Sequence, residues 1–482
     1  MDANLFNKAW SLLEASVVSC GEEPVGTVAA RDPDTPALNY DQVFTRDFAV
    51  SAIAFLLNGK TDIVKNFLAA AVDLQSREKQ LDCFRAGEGL MPASFKVAAD
   101  ESGRPRLVPD FGEKAIARVA PVDSGFWWLY ILRVYVQVTG ERDLAHRPDF
   151  QRAIRLILDL CLTNRFDMFP TLFVPDGSFM IDRRMGVYGY PVDIQALFYT
   201  ALRAARELLS ETPENAPYAE ATRERLGHLT YHIRSYFWLD FEKLSGMYRN
   251  AVEAYGEGAA NQFNIYPESI PAWLFDWLTD GGGYFAGNLG PGRMDFRFFT
   301  AGNLMAVLTS LADKAKAEAL MEQVSRCRQD LVGRMPMKIC FPAITGTQWA
   351  ALTGSDPKNA PWSYHNGGAW PSLLWIFAAA GIKLGRAAEV REALAVAEAR
   401  LEREDWPEYY DGRINRLVGR YARRYQTWTC AGYVAAATLL ANPEKIAPLA
   451  FEEDDEVIGC AIRVSRQYGN DSIGLGVENA GP

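Results

Sequence analysis

Hydrophobic residues recur along this chain at helical spacing. After Pro191, the residues Ile194, Leu197, Phe198, Ala201 and Leu202 fall on one face, and Arg203 and Arg206 follow as surface positions. The same pattern predicts helices over 42–57, 61–76, 124–139, 150–163, 192–209, 217–237, 267–279, 302–312, 314–332, 366–380, 387–403 and 422–441. Pro191 with Asp193 suits a first helical turn, and Gly59, Gly140 and Gly381 suit C-terminal caps. Short turns alternate with long polar–aromatic loops, which predicts helical hairpins. Six hairpins closed in a ring would make an all-α fold, an (α/α)6 barrel. Periodicity predicts the helices and not the closure, and no internal repeat marks it.

Two segments break the helical pattern. TLFVPDGSFMIDR reads as a hairpin turning at Pro175–Asp176–Gly177. GGGYFAGNLGPG (281–292) reads as a loop; it lacks the lysine and the strand-to-helix setting of a phosphate cradle. No linker divides the chain, so residues 1–445 are expected to form one domain, with 446–482, carrying EEDDE, as a C-terminal extension.

Composition narrows the function. The 482 residues are 49% hydrophobic and 23% charged, enough for a large core, and the net charge of −10 argues against nucleic acid as a partner. The longest apolar run, FWWLYILRVYVQV, is interrupted by Arg133 and Gln137, so no membrane span is expected. MDANLFNKAWSLLEAS has neither the basic start nor the apolar run of a secretory signal, which points to a cytoplasmic protein. Seven scattered cysteines without a CxxC pair read as reduced thiols. Four histidines without HExxH argue against a zinc site, and no cofactor is expected.

The chemistry concentrates in islands. DGSFMIDRRMGVYGYPVDIQ (176–195) packs Asp176, Asp182 and Asp193 with Arg183, Arg184, Tyr188 and Tyr190. Unpaired buried carboxylates are costly, so this mixture suits a polyol cleft better than a core. Asp182 follows an apolar pair and precedes two arginines, so it reads either as a general acid or as half of a salt bridge with Arg183 or Arg184. EDWPEYYDG (404–412) offers Glu404, Asp405, Glu408 and Asp411 as bases beside the aromatic faces of Trp406, Tyr409 and Tyr410. Spacing does not choose among the four. NYDQVFTRDF brings Tyr40, Phe44, Arg46 and Asp47 to a helix start; PVDSGFWW does the same for Asp123, Trp127 and Trp128. APWSYHNGGAWP contributes His365, Asn366 and Trp370, and RYARRYQTWTCAG contributes Arg424, Gln426 and Trp428. Each of these also reads as a helix cap or an ordinary ion pair.

Together the islands resemble the alkaline/neutral invertases of cyanobacteria and plants, from about residue 10 to 440. The lack of an N-terminal extension is more similar to the bacterial members. The resemblance implies an (α/α)6 barrel that hydrolyses sucrose to glucose and fructose at neutral to mildly alkaline pH, by inversion and without metal. It carries the acid to Asp182 and the base to Glu408, with their carboxyls expected about 6.5–9.5 Å apart to admit a water. Tyr40, Arg46, Asp47, Asp123, Trp127, Gln195, His365 and Arg424 are the expected sugar contacts. It also implies a homo-oligomer, a hexamer among the candidates. A disaccharide phosphorylase and a non-catalytic sugar-binding protein on the same barrel are the alternatives.

Overall fold

A computed structural model describes residues 2–79, 87–113, 118–162, 169–250, 265–290 and 293–467. Six helices form a closed ring: Thr45–Leu57, Ser124–Thr139, Val192–Leu208, Thr300–Leu308, Leu374–Lys383 and Thr427–Ala441, each packed on the next and the last on the first. Outside them lie Ala3–Ala15, Asp62–Leu74, Pro148–Cys161, Ala216–His232, Lys314–Arg326 and Ala387–Glu398.

The two layers differ in sequence for a physical reason. An inner helix is enclosed on all sides, so its whole circumference must be small or apolar. Every residue from Thr427 to Leu439 is buried, and a Cβ on Gly432 would lie 2.6 Å from the Ser372 carbonyl oxygen. An outer helix needs only one apolar stripe. Pro148–Cys161 buries Phe150, Ala153, Ile154, Ile157, Leu158 and Cys161 on such a stripe.

All six inner helices begin at the same end. Arg46, Ser124, Asp193, Ala301, Leu373 and Trp428, each at or beside a first turn, line two adjoining cavities there. Unpaired N–H groups and the positive ends of six helix dipoles therefore converge on one mouth, a setting that favours negative charge.

The expectation of an all-α chain needs correction. Among the described residues, three small antiparallel sheets occur, with two, three and four strands. The glycine-rich stretch read as a loop supplies strand Tyr284–Gly290, paired with Arg293–Phe299. Its glycines serve close packing: a Cβ on Gly283 would meet the Trp238 ring at 2.3 Å, and one on Gly287 the Arg297 carbonyl oxygen at 2.8 Å. Conversely, the hairpin expected at Pro175–Asp176–Gly177 does not form strands. One bridge joins Val174 to Gly189, while the Asp176 carboxylate accepts from the backbone N–H groups of Met185, Gly186 and Val187 and closes a loop.

Several boundaries also move. Gly381 lies inside its helix, which runs on to Lys383, whereas Gly140 is a left-handed cap at φ 76°. Residues 366–370 and 422–426 are loop, not the starts of helices. Of the segment expected as an extension, residues 446–467 are described and pack against the helices. Phe451 is buried with the guanidinium of Arg133 4.0 Å from its ring centre, and helix Asp455–Gln467 packs on Ala216–His232.

One contact between inner helices gives a stability test. Gly302 donates its N–H to Asp193 Oδ1 at 2.6 Å, and a Cβ on Gly302 would fall 2.6 Å from the Asp193 backbone nitrogen. Gly302→Ala is expected to destabilise the fold by about 1–3 kcal/mol, the usual cost of overpacking. Thermal unfolding of the two proteins measures it; an unchanged midpoint would mean the helices separate freely here.

Candidate active site

Glu408 and Asp182 reach the same cavity from distant parts of the chain. Glu408 arrives on a segment stitched to the neighbouring loop. Ala369 and Tyr410 exchange backbone hydrogen bonds of 2.9 and 2.8 Å, and Gly412 sits so close to Gly367 that a Cβ would overlap its carbonyl oxygen at 1.6 Å. Trp362, Tyr364, Asp405 and Trp406 hold left-handed backbone angles in these two loops, with φ of 68°, 50°, 59° and 52°. Non-glycine residues keep such angles only where surrounding structure dictates them.

The two carboxyls live in different surroundings. Glu408 is enclosed, its side chain 3% exposed. Its Oε1 accepts the Tyr40 hydroxyl at 2.9 Å, while Oε2 takes a long hydrogen bond from the Arg423 N–H and lies 3.6 Å from Lys358 Nζ. Asp182 has a side chain 33% exposed, and protein encloses the rest of it. No hydrogen bond reaches its buried Oδ1, and His365 Nδ1, 3.5 Å away, is equally unpaired. Burial pushes the Asp182 carboxyl up to about 6; Glu408 pushes the same way, against Arg46, Lys358 and Arg183. His365, wholly buried and near the same cations, is held well below the usual histidine range and stays neutral.

A third carboxyl, Asp47, lines the cavity and is raised to about 8 by burial, with Asp182, Glu408 and Asp123 adding to the rise and Arg46 opposing it. Aromatic walls come from Tyr40, Tyr364, Trp370 and Trp428. The His365 ring stacks on Trp370, 5.1 Å between centres, and that indole stacks on Tyr409 at 5.5 Å.

The structure separates the four candidate bases. Glu404 is paired with Arg400, Asp405 with Arg424, and the Asp411 carboxylate caps the Arg413 N–H. Only Glu408 lines the cavity. Trp406, Tyr409 and Tyr410 are buried behind it and present no face to a ligand.

Of the expected sugar contacts, Tyr40, Arg46, Asp47 and His365 line the cavity; the other four lie elsewhere. Asp123 gives both oxygens to Arg46, at 2.5 and 3.0 Å. With Trp127 it faces an adjoining, mostly apolar cavity of about 580 Å³ along the ring axis. Gln195 is buried and spends its amide on the backbone of Leu172, donating at 2.9 Å and accepting at 3.0 Å. Arg424 pairs with Asp32, Asp34 and Asp405 outside the cavity. Arg183 does not pair with Asp182; it makes a two-pronged ion pair with Asp356, at 2.6 and 2.8 Å. Lys358 escaped sequence reasoning, because SDPKNA carries none of the aromatic or acidic density of the other islands.

Paired carboxyls in one cavity, at the mouth of a helical ring, suit glycosidic-bond cleavage. Comparison with known proteins decides the family. Residues 9–443 match the family described as alkaline and neutral invertase. The chain belongs to that family. It is therefore a glycosidase. It is 54% identical to neutral/alkaline invertase 1, mitochondrial, of Oryza sativa subsp. japonica, over 95% of this chain and 74% of that one. It is 52% identical to cytosolic invertase 1 of the same plant, over 92% and 80%. Among solved structures, a bacterial glucoamylase complexed with acarbose superposes with a TM-score of 0.53 at 12% identity, covering 95% of this chain and 57% of that one. A mannosylglycerate hydrolase from Thermus thermophilus gives 0.50 at 14%, covering 89% and 99%. These likenesses show a shared helical fold. No described helix is long and apolar enough to cross a membrane.

Proposed function

We propose that this chain is a cytoplasmic invertase of the cyanobacterial type. It hydrolyses sucrose to glucose and fructose with inversion at the glucosyl carbon, within an (α/α)6 barrel. Asp182 is the general acid and Glu408 the general base. The observation that carries this reading is the contrast between the two carboxyls. Glu408 is met by the Tyr40 hydroxyl, the Arg423 N–H and the Lys358 ammonium. Asp182 lacks such donors, and burial favours its proton. A carboxyl that keeps its proton, beside one ringed by donors on the same cavity, suits an acid and its base.

In the reaction, Asp182 gives its proton to the bridging oxygen as the bond to the glucosyl carbon breaks. A water attacks that carbon from the other face while Glu408 takes one of its protons. Fructose leaves with the bridging oxygen, and the glucose carries the water's oxygen in the β configuration. Tyr40, Arg46, Asp47 and His365 hold sugar hydroxyls. The working form is a homo-oligomer.

Proton NMR of the first glucose formed tests the stereochemistry. Initial β-glucose is expected. Initial α-glucose would mean retention or attack at the fructosyl carbon, and either would sink this mechanism. A sugar phosphate, formed only when phosphate is supplied, would instead establish a phosphorylase.

A further inference from the structure

Lys358 pairs with the base, and its charge acts on the acid, without lining the cavity. Its ammonium lies 3.6 Å from Glu408 Oε2 and 3.9 Å from the centre of the Tyr364 ring, and its side chain is 14% exposed. Its charge also acts on Asp182 and on His365.

The segment that carries it is clamped. Asp356 accepts the Lys358 backbone N–H at 3.0 Å and, with both oxygens, the Arg183 guanidinium. Asn359 donates to the Arg184 carbonyl at 3.3 Å and accepts the His365 N–H at 3.2 Å. Residues 356–359 thus tie the loop bearing Asp182 to the segment bearing His365.

We propose that Lys358 is a positioning residue of the hydrolytic reaction: one cation, shared by the acid and base carboxyls and fixed by the Asp356 clamp. The inference rests on the assignment of Asp182 and Glu408 above. The other charges nearby explain why this cation matters. Arg46 is occupied by Asp123 and Arg183 by Asp356. Arg423 stacks on the Tyr40 ring, 4.8 Å from its centre. Asp47 adds negative charge, and the neutral His365 adds none. Among the described residues, Glu408 is the ion-pair partner of Lys358.

Removing a cation that opposes the rise at Asp182 makes that carboxyl hold its proton to higher pH. Lys358→Met is therefore expected to shift the alkaline limb of the kcat/KM profile upward, by about one pH unit, the low end for a nearby charge. Lys358→Arg should return the profile toward the wild-type position. A purely structural lysine would lower the height of the bell and leave its limbs in place. A Lys358→Met profile with an unmoved alkaline limb would therefore overturn the proposal. If Lys358→Met does not fold, Lys358→Gln carries the same comparison. Full activity in Asp182→Asn and Glu408→Gln would remove the acid–base assignment itself. Loss of activity in both, with an unmoved alkaline limb in the lysine variant, would remove the role of Lys358 alone.

Discussion

Asp182→Asn is expected to lower kcat for sucrose by about 10²–10⁴-fold, the usual worth of a positioned general acid, yet to spare most activity on α-glucosyl fluoride. Fructose is a poor leaving group until its oxygen is protonated; fluoride departs without a proton. Asparagine keeps the size of the side chain and removes only the proton it delivers. The pH dependence should separate the same way. The acid works protonated, so its contribution is present at low pH and lost as pH rises through about 6 in the free enzyme. A bound sugar displaces water from the one exposed side of Asp182, so the alkaline limb should lie higher in kcat than in kcat/KM. Such a rise fits work at neutral pH, where the free carboxyl would be mostly ionised. For Asp182→Asn acting on the fluoride, this limb should be absent. Equal losses on sucrose and fluoride would show that Asp182 shapes the cavity and is not the acid.

Much of this architecture was legible because an enclosed ring of helices writes itself into the sequence. The buried run from Thr427 to Leu439 and the apolar LWIFAAAG leave little but a buried helix to form. The errors cluster where backbone meets the site. Residues 366–370 looked like a helix start, but Ala369 bridges to Tyr410 and Lys338, and Gln426 bridges to Ala30. Such pairings join segments far apart in sequence, and periodicity carries no trace of them.

The same distinction divides the site residues. Asp182 stands out as a carboxyl among glycines and aromatic residues, whereas only the family resemblance singles out Glu408 from Glu404, Asp405 and Asp411. Asp123, Gln195 and Arg424 stand in equally polar islands, yet each is taken by a partner: Arg46, the Leu172 backbone, and three aspartates. Arg46 and Asp123 are 77 positions apart. Which polar side chain is consumed by a neighbour and which is left facing the cavity is a tertiary fact. Lys358 shows the converse, a plain sequence brought to the centre by an ion pair between Arg183 and Asp356, 173 positions apart.

Glu408→Gln is expected to cost about 10²–10⁴-fold on sucrose and, unlike the acid variant, to lose the fluoride reaction as well. Water must shed a proton as it attacks whatever the leaving group is, so a better leaving group does not relieve loss of the base. Glutamine keeps the length of the side chain and can still meet the Tyr40 hydroxyl, but its amide nitrogen would face Lys358 and cannot accept the water's proton. Azide offers a direct check, since it attacks without deprotonation. In Glu408→Ala, where the carboxylate no longer repels an anion, azide with α-glucosyl fluoride should form a β-glucosyl azide, marking the face that Glu408 serves. An α-azide would place the nucleophile on the face assigned to Asp182 and reverse the two roles. Substantial fluoride hydrolysis by Glu408→Gln would make another group the base. Asp47 would then be the first to test, as a third carboxyl on the same cavity. Its proton is held to about 8, so a base role for it would appear as activity rising with pH through that value.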